Sequence, residues 1–287
     1  MTADSYHLAL PKQRDTSVIF SSPHSGRAYS AAFLAQTQLD GSSIRSSEDA
    51  FVDLLFDSAP SFGAPLITAQ APRAFIDLNR AVDELDPAVI DGVGRGMHNP
   101  RVSSGLGVIP RVVANGRAIY TGKIRLPDAE ARIARFWKPY HAALRALIDQ
   151  SHIAFGEAIL IDCHSMPHEA IEAHAKHGQP RPDVVLGDRF GAAAGRHVMD
   201  RVEAAFVGAG LRVVRNAPFA GAYITQAYGR PQQSQHVVQV EIDRALYLNE
   251  ARVEPSADFA DFRRLMTQIV AELTAVGRIA DIGLAAE

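Results

Sequence analysis

The chain has 287 residues, 47% hydrophobic and 21% charged, with a formal charge of −3. That is the profile of a globular protein long enough to bury a core without staples, and its acidic balance disfavours an electrostatic nucleic-acid binder. The single cysteine excludes an intrachain disulfide and a cysteine-based zinc finger, and no apolar run approaches the roughly 18 residues of a membrane helix.

The first residues, MTADSYHLALPKQRD, show no basic n-region and no long apolar h-region. No signal peptide is therefore expected, and the cytoplasm is the expected compartment. Short apolar runs of strand length follow at 17–21 (SVIFS) and 65–70 (PLITAQ). Between them, residues 51–61 place Val52, Leu55, Phe56 and Ala59 at helical spacing. Glycines crowd residues 91–109, which read as a long loop able to cover a site. The spacing over 128–155 predicts the longest helix, which Pro139 should kink or split. Strands are expected at 158–163 (AILIDC), 183–186 (DVVL), 211–214 and 236–242, with helices at 191–207 and 259–276. Alternating strands and helices predict an α/β protein with a largely parallel or mixed sheet. No composition shift divides the chain, so one domain over 1–287 is expected.

Five segments could carry chemistry. Ser22-Pro23-His24-Ser25-Gly26 follows a strand and puts a histidine at its C-terminal edge, where α/β sheets hold their sites. In Ile161-Asp162-Cys163-His164, strand alternation puts Asp162 and His164 on one face and Cys163 on the other. A carboxylate beside a histidine suits a metal ligand and its support, whereas Cys163 reads as a small buried residue rather than a nucleophile. Ser47-Glu48-Asp49 precedes a helix, so these residues could cap it or serve a site. Gln239, Glu241 and Asp243 form the polar face of the 236–242 strand, either a solvated edge or the place of a general base. Arg73, Asn79 and Arg80 cluster after 65–70, either to fork onto substrate carboxylates or to pair with Asp77, Asp83 or Glu84.

Other signals are weak. Gly92-Val93-Gly94-Arg95-Gly96 lacks the dinucleotide spacing, Pro167 argues against a helical His164/His168 pair, and His174 and His177 read as exposed. Two histidines, acidic candidates and clustered arginines suggest a metal hydrolase for small anionic substrates, and zinc fits such ligands with an open position for water.

In this order the segments resemble the N-formylglutamate amidohydrolase family. The matching elements are Ser22-Pro23-His24-Ser25-Gly26, Glu48-Asp49-Ala50-Phe51-Val52-Asp53, Pro72-Arg73 with Asp77-Leu78-Asn79-Arg80, and Asp162-Cys163-His164-Ser165. Asn216-Ala217-Pro218-Phe219-Ala220-Gly221-Ala222-Tyr223 and Glu241-Ile242-Asp243-Arg244 with Leu246-Tyr247 complete them. The family usually reads Glu-Ile-Asn-Arg, Pro-Tyr and Gly-Gly where this chain has Asp243, Phe219 and Ala222.

The resemblance implies a three-layer α/β/α sandwich around a mixed, mostly parallel sheet, akin to zinc carboxypeptidases and aspartoacylase. It implies one zinc ion per chain on His24, Asp49 and His164, with Glu48 in reserve for Asp49. Glu241 becomes the general base and Arg73 the oxyanion stabiliser, while Asn79, Arg80, Arg244 and Tyr223 bind substrate. The implied reaction is hydrolysis of N-formyl-L-glutamate to formate and L-glutamate in histidine breakdown. A related N-acyl amino acid or short peptide is the alternative substrate, and a metal-free binding protein the alternative class. The expected partner is a small anionic N-acyl amino acid, with neither nucleic acid nor membrane, and self-assembly into a homo-oligomer is left open.

Overall fold

The computed structural model describes residues 5–94, 99–172 and 181–278. Seven strands form the central sheet: β1 (Tyr6–Ala9), β2 (Val18–Ser22), β3 (Leu66–Ala69), β4 (Ala158–Met166), β5 (Val184–Gly187), β6 (Val213–Arg215) and β7 (Gln235–Asp243). Their order across the sheet is β1-β3-β2-β4-β7-β5-β6. The pairs β3–β2, β2–β4, β4–β7 and β5–β6 are parallel, whereas β1–β3 and β5–β7 are antiparallel. The sheet is mixed and mostly parallel, as expected.

Alternation along the strands builds two cores. Val18, Phe20, Ile159, Ile161, Cys163, Val238 and Val240 point to one face, where the helices Arg196–Gly208 and Phe259–Val276 cover them. Ile19, Leu160 and Val237 point to the other, against Tyr140, Leu144, Leu147 and Ile148 of the helix Lys138–Phe155. Helices on both faces of one sheet give the three-layer sandwich.

Pro139 does not split the long helix. The helix begins at Leu126–Arg132, widens through a π turn at Ile133–Trp137 and continues as Lys138–Phe155. Lys138 N bonds back five residues to Ile133 O, and the wider turn accommodates the proline, which has no N–H to donate. The strand β1 has no counterpart among the sequence expectations. The 91–109 stretch contains a short helix, Pro100–Ser103, with the Asn99 side chain accepting from Arg101 N and Val102 N. Residues 95–98 of that stretch, and His174 and His177, lie outside the described residues. No helix among the described residues is long and apolar enough to cross a membrane.

Candidate active site

The parallel register brings the chemistry to one end of the sheet. Strands β4 and β7 are paired so that His164 lies opposite Glu241 and Asp162 opposite Gln239. Because Cys163 and Val240 face one core, Asp162, His164, Gln239 and Glu241 face the other side. This makes β7 a central strand, so its polar face is not a solvated edge. His24 enters from the turn that follows β2. Gly26 permits that turn: a Cβ there would stand 2.1 Å from Ala71 O. Asp49 arrives on the loop before the helix Val52–Leu55, and its N–H donates to His24 O at 3.1 Å. Phe51 occupies the N-cap position without a side-chain bond, so Asp49 is free to turn inward.

His24, Asp49 and His164 are all buried, and their ligand atoms lie within 4.8 Å of one another. His164 Nδ1 is 2.9 Å from Asp49 Oδ2, and His24 Nδ1 is 3.4 Å from the same oxygen. The other nitrogen of each ring is anchored. His24 Nε2 donates to Asp77 Oδ1 at 2.7 Å, and His164 Nε2 donates to Asp162 Oδ2 at 3.0 Å. That anchoring leaves both Nδ1 lone pairs aimed at one carboxylate oxygen, and His24 Nδ1 is buried with no hydrogen-bond partner among the described residues. Two lone pairs and a carboxylate oxygen repel one another unless a cation or added protons lie between them. The donor set therefore fits a divalent metal, with carboxylates orienting each imidazole.

The electrostatics agree. Burial would raise the Asp49 carboxyl, but the facing imidazoles of His164 and His24 hold it well below the usual carboxylate range. Burial would likewise raise Asp77, yet His24, Arg73 and Arg80 hold it low. Desolvation lowers His164, and Asp162 and Asp49 overcome that to raise it, so this site attracts positive charge.

Arg244 settles how Asp49 presents itself. Its Nη2 donates to Asp49 Oδ1 at 3.0 Å, leaving Oδ2 for the histidines. Its Nε and Nη1 donate to Ser165 Oγ and Ser46 O, and Nη2 also reaches Ser165 O. The guanidinium expected to grip substrate is thus spent on orienting Asp49. Glu48 turns elsewhere, onto Arg45 at 2.9 Å and Tyr29 at 3.0 Å. Asp243, where the family usually has asparagine, accepts from Ala245 N and also from His168 Nδ1 at 2.8 Å.

A cavity of about 550 Å³ opens over this cluster, lined by His24, His164, Glu241, Arg73, Arg80 and Arg244 among others. The Glu241 carboxyl is pushed up to about 7, chiefly by desolvation and further by Asp49, against the pull of His164, Arg73 and Arg244. Gln239 Nε2 donates to Glu241 Oε1 at 2.9 Å, while Gln239 Oε1 accepts from Ala222 N. Sequence reasoning placed Gln239 on this face without giving it that orienting contact, although its i−2 spacing from Glu241 was the available signal. Arg73 Nε donates to Asp77 Oδ2 at 3.1 Å, so the arginine expected to stabilise the oxyanion is also the structural partner of Asp77.

Two expected substrate contacts are placed differently. Asn79 lines the cavity, but its Oδ1 accepts from Ile224 N at 2.7 Å and its Nδ2 lies 3.4 Å from Asp162 Oδ2, so its amide serves the wall. Tyr223 is not among the cavity residues. It packs beside Trp137 and His141, on the helix Tyr223–Tyr228.

The sequence profile of the N-formylglutamate amidohydrolase family matches residues 16–248, a span that includes every element of this cluster. The chain belongs to the N-formylglutamate amidohydrolase family. An N-formylglutamate deformylase from Pseudomonas aeruginosa is 30% identical over 270 residues, 91% of this chain and 94% of that protein. One from Pseudomonas putida is 29% identical over 239 residues, 81% of this chain and 82% of its own length. The crystal structure of N-formylglutamate amidohydrolase from Ralstonia eutropha JMP134 superposes with a TM-score of 0.87 at 33% identity, covering 94% of this chain and 97% of that one. The family places the chain among hydrolases of amide bonds.

A second group, Glu157, His197 and His236, gathers at the other end of the sheet. There His236 Nδ1 accepts from Gly195 N at 3.0 Å, so Nε2 carries the ring proton toward Glu157. A ring in that tautomer has no lone pair for a metal, and the group reads as a structural pairing.

Proposed function

We propose that this chain is a zinc amidohydrolase that removes the formyl group of N-formyl-L-glutamate, giving formate and L-glutamate. The observation that carries the reading is the pair of Nδ1 atoms converging on Asp49 Oδ2, each imidazole anchored through Nε2 to its own carboxylate. The substrate comes from the relatives, which are named N-formylglutamate deformylase.

His24, Asp49 and His164 would hold one ion per chain, which would supply Lewis acidity at the formyl oxygen and a more acidic water. Glu241 accepts a proton from the attacking water as the new C–O bond forms at the formyl carbon. Its raised pKa places it where it can take that proton and later release it. Arg73 stabilises the developing oxyanion with a charge fixed at neutral pH. As the C–N bond breaks, Glu241 hands the proton to the leaving amino nitrogen, which departs as the amine of glutamate. Arg80 grips a substrate carboxylate and Gln239 keeps Glu241 aimed. On this reading the reaction falls late in histidine breakdown, in the cytoplasm.

The test is a substrate panel. Formate release from N-formyl-L-glutamate should exceed hydrolysis of N-acetyl-L-glutamate and of short peptides. Faster turnover of another N-acyl amino acid or a peptide would replace the substrate assignment and keep the chemistry. No turnover of any of them, with no metal retained, would favour a binding protein.

A further inference from the structure

The arginines lining the cavity are not equally employed. Arg244 spends its donors on Asp49, Ser46 and Ser165, and Arg73 is paired with Asp77. Arg80 and Arg101 form no ion pair among the described residues. Arg80 is only 7% exposed. Its Nε and Nη1 donate to the neutral carbonyls of Leu106 and Asn79, at 2.9 Å and 2.7 Å, which leaves Nη2 unused among those bonds. Burial lowers its pKa, and the positive potential of Arg73 and Arg101 opposes the relief offered by Asp77. Guanidinium does not shed its proton in a protein, and a buried charge is costly where its compensation is partial. Asp77 and Glu84 offset part of the Arg80 charge without a direct ion pair, and an anion in the cavity would supply the direct partner.

Arg101 is tied to the same piece of wall. It sits in the short helix Pro100–Ser103, whose start Asn99 caps. Leu106 N donates to Arg101 O at 2.8 Å, and Leu106 O takes the Arg80 guanidinium, so one residue bridges the two arginines. Asn79, next to Arg80 in the chain, reaches the Asp162–His164 pair, so Arg80 stands nearer the metal ligands along this path. Arg101 connects to that path only through Leu106.

We propose that Arg101, beside Arg80, receives the side-chain carboxylate of the substrate and makes the enzyme select N-acyl amino acids with an acidic side chain over neutral isosteres. The inference rests on the amidohydrolase reading above. The scissile amide nitrogen is bonded to the same carbon as the α-carboxylate, so the α-carboxylate stays close to the metal ligands and Arg80. The side-chain carboxylate lies farther along the substrate, and Arg101 is the other cavity-lining arginine with no ion pair among the described residues. A hydrogen-bonded charge there discriminates strongly, because a neutral side chain leaves the arginines unmatched.

The experiment measures kcat and KM for N-formyl-L-glutamate and N-formyl-L-glutamine with wild type, Arg101→Met and Arg101→Lys. Wild type should prefer the glutamate. Arg101→Met should raise its KM about tenfold or more, at unchanged kcat, and should not raise the KM of the glutamine, so that the preference shrinks. Arg101→Lys should recover part of the preference. Equal changes for both substrates, no change for either, or no wild-type preference would overturn the role of Arg101. Hydrolysis of neither substrate by wild type would overturn the N-formyl-L-glutamate assignment, and the inference with it.

Discussion

Replacing Asp77 by asparagine should weaken metal binding while leaving every metal ligand in place. Asp77 Oδ1 accepts from His24 Nε2 at 2.7 Å and from Asn79 N at 2.8 Å, and Oδ2 accepts from Arg73 Nε at 3.1 Å. The asparagine amide keeps one acceptor but turns a donor toward Arg73, and the negative charge that makes the imidazole more basic is gone. Loss of such an outer carboxylate costs about 10–100-fold in metal affinity, roughly 1.4–2.7 kcal/mol, the size of one charge-assisted hydrogen bond. The assay is competition for zinc against a chromophoric chelator, with wild type, Asp77→Asn and Asp162→Asn in parallel. Asp162→Asn should show a loss of similar size, since Asp162 holds His164 in the same way. An Asp77→Asn affinity within twofold of wild type would refute the idea that anchoring Nε2 prepares Nδ1 for the metal.

Four further outcomes follow from the structure. Glu241→Gln should retain metal and lose about 10²–10⁴-fold in kcat, and near-normal turnover would remove Glu241 as the base. The wild-type rate should rise with pH as Glu241 deprotonates, with a midpoint at or below about 7 because a cation on the neighbouring ligands draws it down, and rate profiles of the Glu241→Gln variant should lack that limb. Arg244→Met should weaken metal affinity more than it raises KM, because its guanidinium is spent on Asp49; a pure KM effect would return Arg244 to substrate binding. The buried His141 should make the fold acid-sensitive. Its Nε2 donates to Leu78 O and its Nδ1 accepts from Tyr228 Oη, both at 2.8 Å, and desolvation lowers its pKa from 6.5 to about 4. The unfolded chain therefore binds a proton that the native state refuses. Stability complete above about 6.5 declines by about 3 kcal/mol as pH falls to about 4. Urea midpoints across that range should fall less steeply for His141→Gln, and identical slopes would contradict this.

The sheet was legible because its strands are short apolar runs buried on both faces. In AILIDCH, Ile159, Ile161 and Cys163 face one core, while Asp162 and His164 follow Leu160 on the other side. The helix Phe259–Val276 was legible from its spacing alone. The strand Tyr6–Ala9 was not, because four half-exposed residues make a strand only when β3 supplies the partner. Pro139 misled because a π turn can pass a proline that an ideal α-helix cannot. Within the site, residue types were easier to read than directions. Asn79 and Arg244 reach the site, yet their donors and acceptors point into its wall, a choice made by Ile224, Asp49 and Ser165 from distant parts of the chain. Tyr223 packs beside Trp137 and His141 and is not among the cavity-lining residues, a neighbourhood set by a distant helix. Arg101 stood in a stretch without periodicity, where only the fold could bring it beside Arg80.

The most direct test of the account follows formate release from N-formyl-L-glutamate after metal is stripped by chelation and zinc is returned in measured steps. The account expects loss of activity on chelation and recovery that saturates at one zinc per chain. Activity indifferent to chelation, in protein shown to retain no metal, would contradict it.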